Sequence, residues 1–196
     1  MDKKNLKGKD LFLAFLYTSG IGNDYNEPII GRTRLQKMMY VFEKEALKNF
    51  NKLDQSSLPN FEPYLYGPFS KELLDDIKFF ESIGFIKSEE TNIPISQSDK
   101  IEYNYAKENQ EDNWDDATFD DSCDNEMEQK YFLSKTGIKY VVENIWNDFT
   151  QEQQNYLKLF KSKINSLTLY DLLKYVYNKY PESTINSIVK KKYLEN

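Results

Sequence analysis

Apolar positions divide this chain into helical and extended stretches. Between Lys9 and Ser19, Leu11, Phe12, Leu13, Phe15, Leu16 and Tyr17 leave almost no polar side, which predicts a buried helix ended by Gly20, Gly22 and Asn23. Residues 21–30 read as a loop. After Pro28-Ile29-Ile30-Gly31, a long helix is predicted from Thr33 to about Phe50. Leu35, Met38, Met39, Phe42, Ala46 and Leu47 fall on one stripe of it, Arg34, Lys37, Lys44 and Lys48 lie mostly off the stripe, and Thr33 is placed to cap its start. Residues 51–60 form a polar connection. Phe61 to Tyr66 is aromatic and extended until Gly67-Pro68 breaks it. Ser70 then caps a third helix whose apolar side is Leu73, Leu74, Ile77, Phe79 and Phe80, closed by Gly84. Its outward residues are expected to be Glu72, Asp75, Asp76, Lys78 and Glu81.

Phe85-Ile86-Lys87 reads as a short strand. A long polar stretch follows, with a candidate strand at Ile101 to Tyr105, and structure resumes with a strand at Tyr131-Phe132-Leu133. Ser134 caps a helix running through Ile138, Val141, Val142, Ile145 and Trp146. Further helices are predicted from about Gln151 to Ile164, across Leu169, Leu172, Leu173, Val176 and Tyr177 up to Pro181, and from Ile185 to Tyr193. No internal repeat is visible.

This order predicts an α+β fold, mainly α. It has a winged-helix-like core over residues 1–148, an acidic insertion in the wing at about 88–129, and a C-terminal helical extension over 149–196. The helix over 70–83 takes the recognition position. The C-terminal helices are a candidate dimerisation surface, so a homodimer is one expectation.

Charge changes this picture. The chain has 196 residues, with 26 Lys and Arg against 32 Asp and Glu, for a net charge of −6. Between Glu108 and Glu128 there are ten acids, Asp112, Asp115, Asp116, Asp120 and Asp121 among them, and no base. Outside that segment bases outnumber acids by 26 to 22. Such a like-charged stretch of low hydrophobicity reads as a solvated insertion, as a mimic of nucleic-acid charge toward a partner, or as a segment that folds back on the basic C-terminus. Its spacing does not match an EF-hand loop, so no metal site is expected.

Absences narrow the chemistry. There is no histidine, which excludes Ser-His-Asp and Cys-His machinery and every His-ligated metal. The one cysteine, Cys123, excludes an internal disulfide and Cys-rich zinc cages, and its carboxylate neighbours should keep it a protonated thiol. No phosphate-cradling glycine loop is present. No apolar run approaches the ~20 residues of a membrane span. The expectation is a cytoplasmic protein that is not an enzyme and carries no cofactor.

Three groups of residues are candidates for contact. Arg32, Arg34 and Lys37 at the start of the second helix suit phosphate or an acidic partner, or else form a solvated face. Lys190, Lys191 and Lys192 offer nucleic-acid or acidic-protein contact, or an ordinary charged terminus. Tyr66-Gly67-Pro68-Phe69-Ser70 reads either as a ligand-binding turn or, the favoured reading, as a structural turn, with Gly and Pro setting its course, aromatics entering the core and Ser capping the next helix.

Gly31-Arg32-Thr33-Arg34-Leu35-Gln36-Lys37-Met38-Met39-Tyr40-Val41, followed by Phe61 to Tyr66, Gly67-Pro68-Phe69-Ser70 and Leu73 to Ile86, resembles the YwgA family of prokaryotic proteins. It is similar, more distantly, to the SocA-like (Panacea) antitoxin domain. The resemblance covers roughly residues 8–145, with the acidic insertion as a departure. It implies a small regulatory module with no established enzymatic activity; toxin neutralisation belongs to the SocA-like relatives.

The expected function is therefore a non-enzymatic regulatory module binding a protein partner, in an antitoxin-like or phage-conflict role. The alternative is a DNA-binding winged-helix transcriptional regulator. Carboxylates on the third helix oppose DNA docking, because they would face phosphates across the groove.

Overall fold

Helix α1 (Gly8–Tyr17) is apolar on every side because the fold surrounds it, and each residue from Leu11 to Leu16 is at most 2% exposed. In this computed structural model, residues 6–22, 24–46, 49–50, 53–96 and 127–191 are described. The order of elements is β1 (Leu6–Lys7), α1, β2 (Ile29–Ile30), α2 (Arg32–Ala46), β3 (Leu53–Asp54), β4 (Glu62–Tyr64), β5 (Gly67–Phe69), α3 (Lys71–Ser82), β6 (Ile86–Pro94), β7 (Met127–Leu133), α4 (Lys135–Asn144), α5 (Gln151–Asn165) and α6 (Leu169–Lys179). Single 3-10 turns lie at Gln55–Ser57, Trp146–Asp148 and Pro181–Thr184. The fold is α+β and mainly helical. Among the described residues no helix is long and apolar enough to cross a membrane.

Among the described residues, three small sheets tie the chain together. β6 and β7 pair antiparallel with Ile86 opposite Leu133 and Lys87 opposite Phe132, and β2 joins the other side of β7 with Ile29 opposite Tyr131, giving the order β2-β7-β6. β4 and β5 form an antiparallel hairpin, and β1 lies parallel to β3. Two stretches read as loop or connection thus contain strands. Both are only two residues long, and their pairing comes from strands far away in sequence. The hairpin also outruns its expected strands: 88–94 and 127–129, counted with the insertion, are part of β6 and β7. The candidate strand at 101–105 lies outside the described residues.

Local start and stop signals act as their chemistry dictates at α3 and α4. Ser70 Oγ accepts the Leu73 N–H, and Ser134 Oγ accepts the Gly137 N–H. Gly84, at φ +74, follows the end of α3. Thr33 does not cap α2. The helix begins one residue earlier, at Arg32, with Gly31 O accepting the Leu35 N–H, and Thr33 is fully buried inside it. Nor is Ile185–Tyr193 a helix from its start: residues 185–186 and 188–189 are turns, and helical backbone appears only at Lys190 and Lys191 among the described residues.

The core runs across the boundary expected at residue 148. Phe15 of α1, Phe42 of α2 and Phe160 of α5 form a mutually packed triad, with ring centroids 5.1, 5.2 and 6.1 Å apart. Leu157, Ile164, Leu172, Leu173, Val176 and Tyr177 belong to the same hydrophobic cluster as α1 and α2. The C-terminal helices are therefore one wall of the core, not an appended bundle. This also explains α2, whose Gln36, Lys37, Tyr40 and Val41 are buried along with Leu35, Met38, Met39, Phe42 and Ala46 of the expected stripe, Leu47 and Lys48 lying outside the described residues. A helix with neighbours on several sides keeps little solvated surface, here chiefly at Lys44, for periodicity to show.

Candidate functional site

The α2 segment around Gln36 and the turn before α3 meet in space. Gln36 of α2 reaches the turn before α3, where its Nε2 donates to Ser70 O at 2.9 Å and its Oε1 accepts the Ser70 N–H at 3.0 Å. A buried side-chain amide thus satisfies both backbone groups of the residue that caps α3. Tyr66 to Ser70 are all buried. The extended piece is broken by a turn at Leu65 and Tyr66, before Gly67 and Pro68, which start the returning strand β5 opposite Tyr64 and Pro63. Gly67 sits at φ +86, where a Cβ would lie 3.2 Å from the Tyr177 ring. Conformation and space both call for glycine here.

The basic start of α2 is directed differently from the reading as a partner contact. Lys37 is fully buried, so it presents nothing to a phosphate or an acidic surface. Arg34 is half-buried, and its Nη1 donates at 2.7 Å to Leu167 O, just beyond α5. That bond joins α2 to the connection between α5 and α6. Arg32 is half-buried as well. At the C-terminus Lys190 is half-buried and Lys191 exposed, while Lys192 lies outside the described residues. So do Asp112, Asp115, Asp116, Asp120, Asp121 and Cys123.

Helix α3 presents the most mixed surface. Lys71, Glu72, Asp75 and Lys78 are exposed, while Asp76 and Glu81 are half-buried, a more inward placement than expected. Phe79 was placed on the apolar side but is 51% exposed, and Ile83 just past the helix is 44% exposed. Leu73, Leu74, Ile77 and Phe80 suffice to fill the core side, which leaves Phe79 on the flank. Lys9 of α1 binds there: its Nζ lies 2.6 Å from Asp76 and 5.6 Å from the Phe79 ring centroid. Burial raises the Asp76 carboxyl above its ordinary range, against the pull of Lys9.

Two polar centres escape a reading by sequence alone. Lys161 of α5 is fully buried, and its Nζ donates at 2.8 Å to each of Leu16 O, Thr18 O and Glu27 O. Burial pushes this ammonium down to about 7, with Glu27 opposing. A signal existed: Lys161 stands beside Phe160 and between Leu157 and Ile164, on the apolar stripe of its helix. The second centre is Glu45, whose Oε1 accepts from Tyr175, from Lys179 at 2.7 Å and from Tyr180 at 2.8 Å. Burial would raise this carboxyl, but the bonds from Lys179, Tyr175 and Tyr180 hold it below the ordinary range. Both centres join the C-terminal helices to the first half of the chain. Among the described residues, no group of three or more His, Cys, Asp or Glu could hold a metal ion.

No protein-family model, curated protein or solved structure matches this chain. The functional reading therefore rests on the geometry of the chain itself.

Proposed function

We propose that this chain is a cytoplasmic, non-enzymatic regulatory module that binds a protein partner through a winged-helix-like core. An antitoxin-like or phage-conflict role, of the kind that similarity to the YwgA and SocA-like families implies, fits that reading. The order α1, β2, α2, α3, β6, β7 and the sheet order β2-β7-β6 support the winged-helix assignment. In that architecture α3 takes the recognition position.

The outer surface of α3 carries the choice of partner. It combines exposed Glu72 and Asp75, and exposed Lys71 and Lys78, with a half-exposed Phe79. Carboxylates at that position oppose phosphate, whose neutralisation supplies most nonspecific DNA affinity. An exposed aromatic ring beside polar groups is the composition of a protein interface.

The alternative is a DNA-binding transcriptional regulator, and the same element order favours it. It would need the basic start of α2, where Lys37 is buried and Arg34 is engaged with Leu167 O. A tagged pull-down from the native host, with and without nuclease, separates the two. A stoichiometric protein retained after nuclease supports partner binding. Recovery of duplex DNA that nuclease abolishes overturns it in favour of the regulator.

A further inference from the structure

The chain leaves the core abruptly after Thr184. Ser183 is buried and Thr184 fully so, whereas Ile185 is 66% exposed and Ile188 62% exposed. Among the described residues past Thr184, one apolar side chain, that of Val189, packs half-buried against the core. What holds this segment is mainly polar. Asn186 Nδ2 donates to Pro63 O at 3.0 Å, the Ile188 N–H donates to Leu65 O at 3.1 Å, and Ser187 Oγ donates to the same Leu65 O at 3.1 Å. Ser187 Oγ also meets the Tyr177 hydroxyl.

The acceptors lie along β4 and the turn after it, on the side away from β5. Pro63 faces Pro68 across the hairpin, and neither has an N–H, so that rung carries no hydrogen bond between the strands. This edge offers carbonyls at positions 63 and 65 and cannot donate at 63. Whatever pairs with it must supply donors. The segment 186–188 does so with an amide side chain, a hydroxyl and one backbone N–H in place of a full strand ladder.

We propose that residues 185–191 are a releasable strap, hinged after Thr184, that closes a binding edge for an extended peptide along β4. A segment held by a few exposed hydrogen bonds and little apolar burial opens on its own, without unfolding the protein. Opening frees the carbonyls of Pro63 and Leu65 together. An extended segment of another chain, carrying amide or hydroxyl side chains at the spacing of Asn186, Ser187 and Ile188, then pairs with them as the strap does. The site lies on β4 and stands independently of the partner surface on α3.

Hydrogen exchange of the full-length chain tests release. The Ile188 amide is expected to exchange at least about a hundredfold faster than the Val176 and Tyr177 amides of α6, with no acceleration by urea below the unfolding transition. Asn186→Ala is expected to speed the Ile188 amide about fivefold further and to leave the α6 amides unchanged. An Ile188 amide as protected as those of α6 overturns the proposal, as does an acceleration under Asn186→Ala that α6 shares. Peptide binding is then followed by fluorescence anisotropy, with a labelled synthetic peptide of residues 185–191 and a control peptide carrying Asn186→Ala and Ser187→Ala. The full-length Ile188→Pro protein, which lacks the strap's backbone donor, is expected to bind the first peptide at least about tenfold more tightly than wild type does, and more tightly than it binds the control. Both peptides keep Lys190 and Lys191, so attraction to the acidic segment between Glu108 and Glu128 would not tell them apart. Equal binding of the two peptides by Ile188→Pro, or no gain over wild type, overturns the proposal.

Discussion

Two lysines fasten the C-terminal helices to the rest of the molecule, by opposite physics. Lys161 on α5 is fully buried and held by three backbone carbonyls from the end of α1 and the segment leading to β2. Lys179 on α6 has a side chain 46% exposed and is held by the Glu45 carboxylate at the end of α2. Burial lowers the proton affinity of the first, while the hydrogen bonds that the second donates to Glu45 and Tyr175 raise its own. The same residue type is a structural fastener in one place and a screened surface tie in the other. What decides between them is how much water each ammonium has lost and what has replaced it.

The sharpest way to break the comparison is Lys161→Ala. It leaves three inward-facing carbonyls without their donor, and a loss of about 3 kcal/mol or more is expected from the urea midpoint. Lys161→Met keeps most of the volume and separates packing from hydrogen bonding. A loss under Lys161→Met as large as that under Lys161→Ala would assign the effect to the carbonyls.

Next comes pH. The unfolded lysine keeps its proton up to its ordinary value of 10.5, whereas the buried one releases it near 7. The unfolded state therefore binds more protons between those values, and stability rises with pH across that window. Wild type should gain on the order of 2 kcal/mol between pH 7 and 9, and Lys161→Met should not. A flat wild-type profile over that range would refute this account of Lys161.

Glu45→Gln is expected to cost about 1–2 kcal/mol at neutral pH, because three donors lose a charged acceptor. The sign of its pH dependence is the same as for Lys161, but the window lies in acid. Glu45 has a lowered folded value, so its contribution is present above the ordinary 4.5 and disappears as pH falls through the folded value. Denaturation curves of wild type and variant should converge in acid.

The smallest effect belongs to Lys179→Met, below about 1 kcal/mol, since the side chain is half exposed. Added salt should shrink it further, while leaving the Lys161 effect nearly unchanged. A Lys179 effect that salt does not touch would remove the contrast between the two lysines.

Their legibility in the sequence differs in a similar way. Lys179 lies near the end of a helix whose apolar stripe is clear, and solvent exposure is the ordinary expectation for it. Lys161 occupies a position on the apolar stripe of α5, yet only the carbonyls from α1 and the segment before β2 explain why a cation can remain there. Arg32, Arg34 and Lys37 read as a basic face for the same reason in reverse: helical spacing places charges relative to their own helix, and cannot show that α5 and α6 cover α2. Phe79 read as core because its neighbours are apolar, while Leu73, Leu74, Ile77 and Phe80 already fill the inner side of α3.

The sequence by itself determined the features that depend on a few neighbouring residues. The serine caps at Ser70 and Ser134, the glycine following α3, the body of each helix from α1 to α6 and the β6–β7 strand pair all follow from local chemistry and periodicity. Tertiary structure alone decided that β2 pairs with β7, that the C-terminal helices wall the core, that Lys37 is buried and that Phe79 is exposed. Those outcomes depend on partners remote in sequence, as with Lys161 and Leu16, 145 positions apart. Burial is a property of the assembled surface, and no window of neighbouring residues contains it.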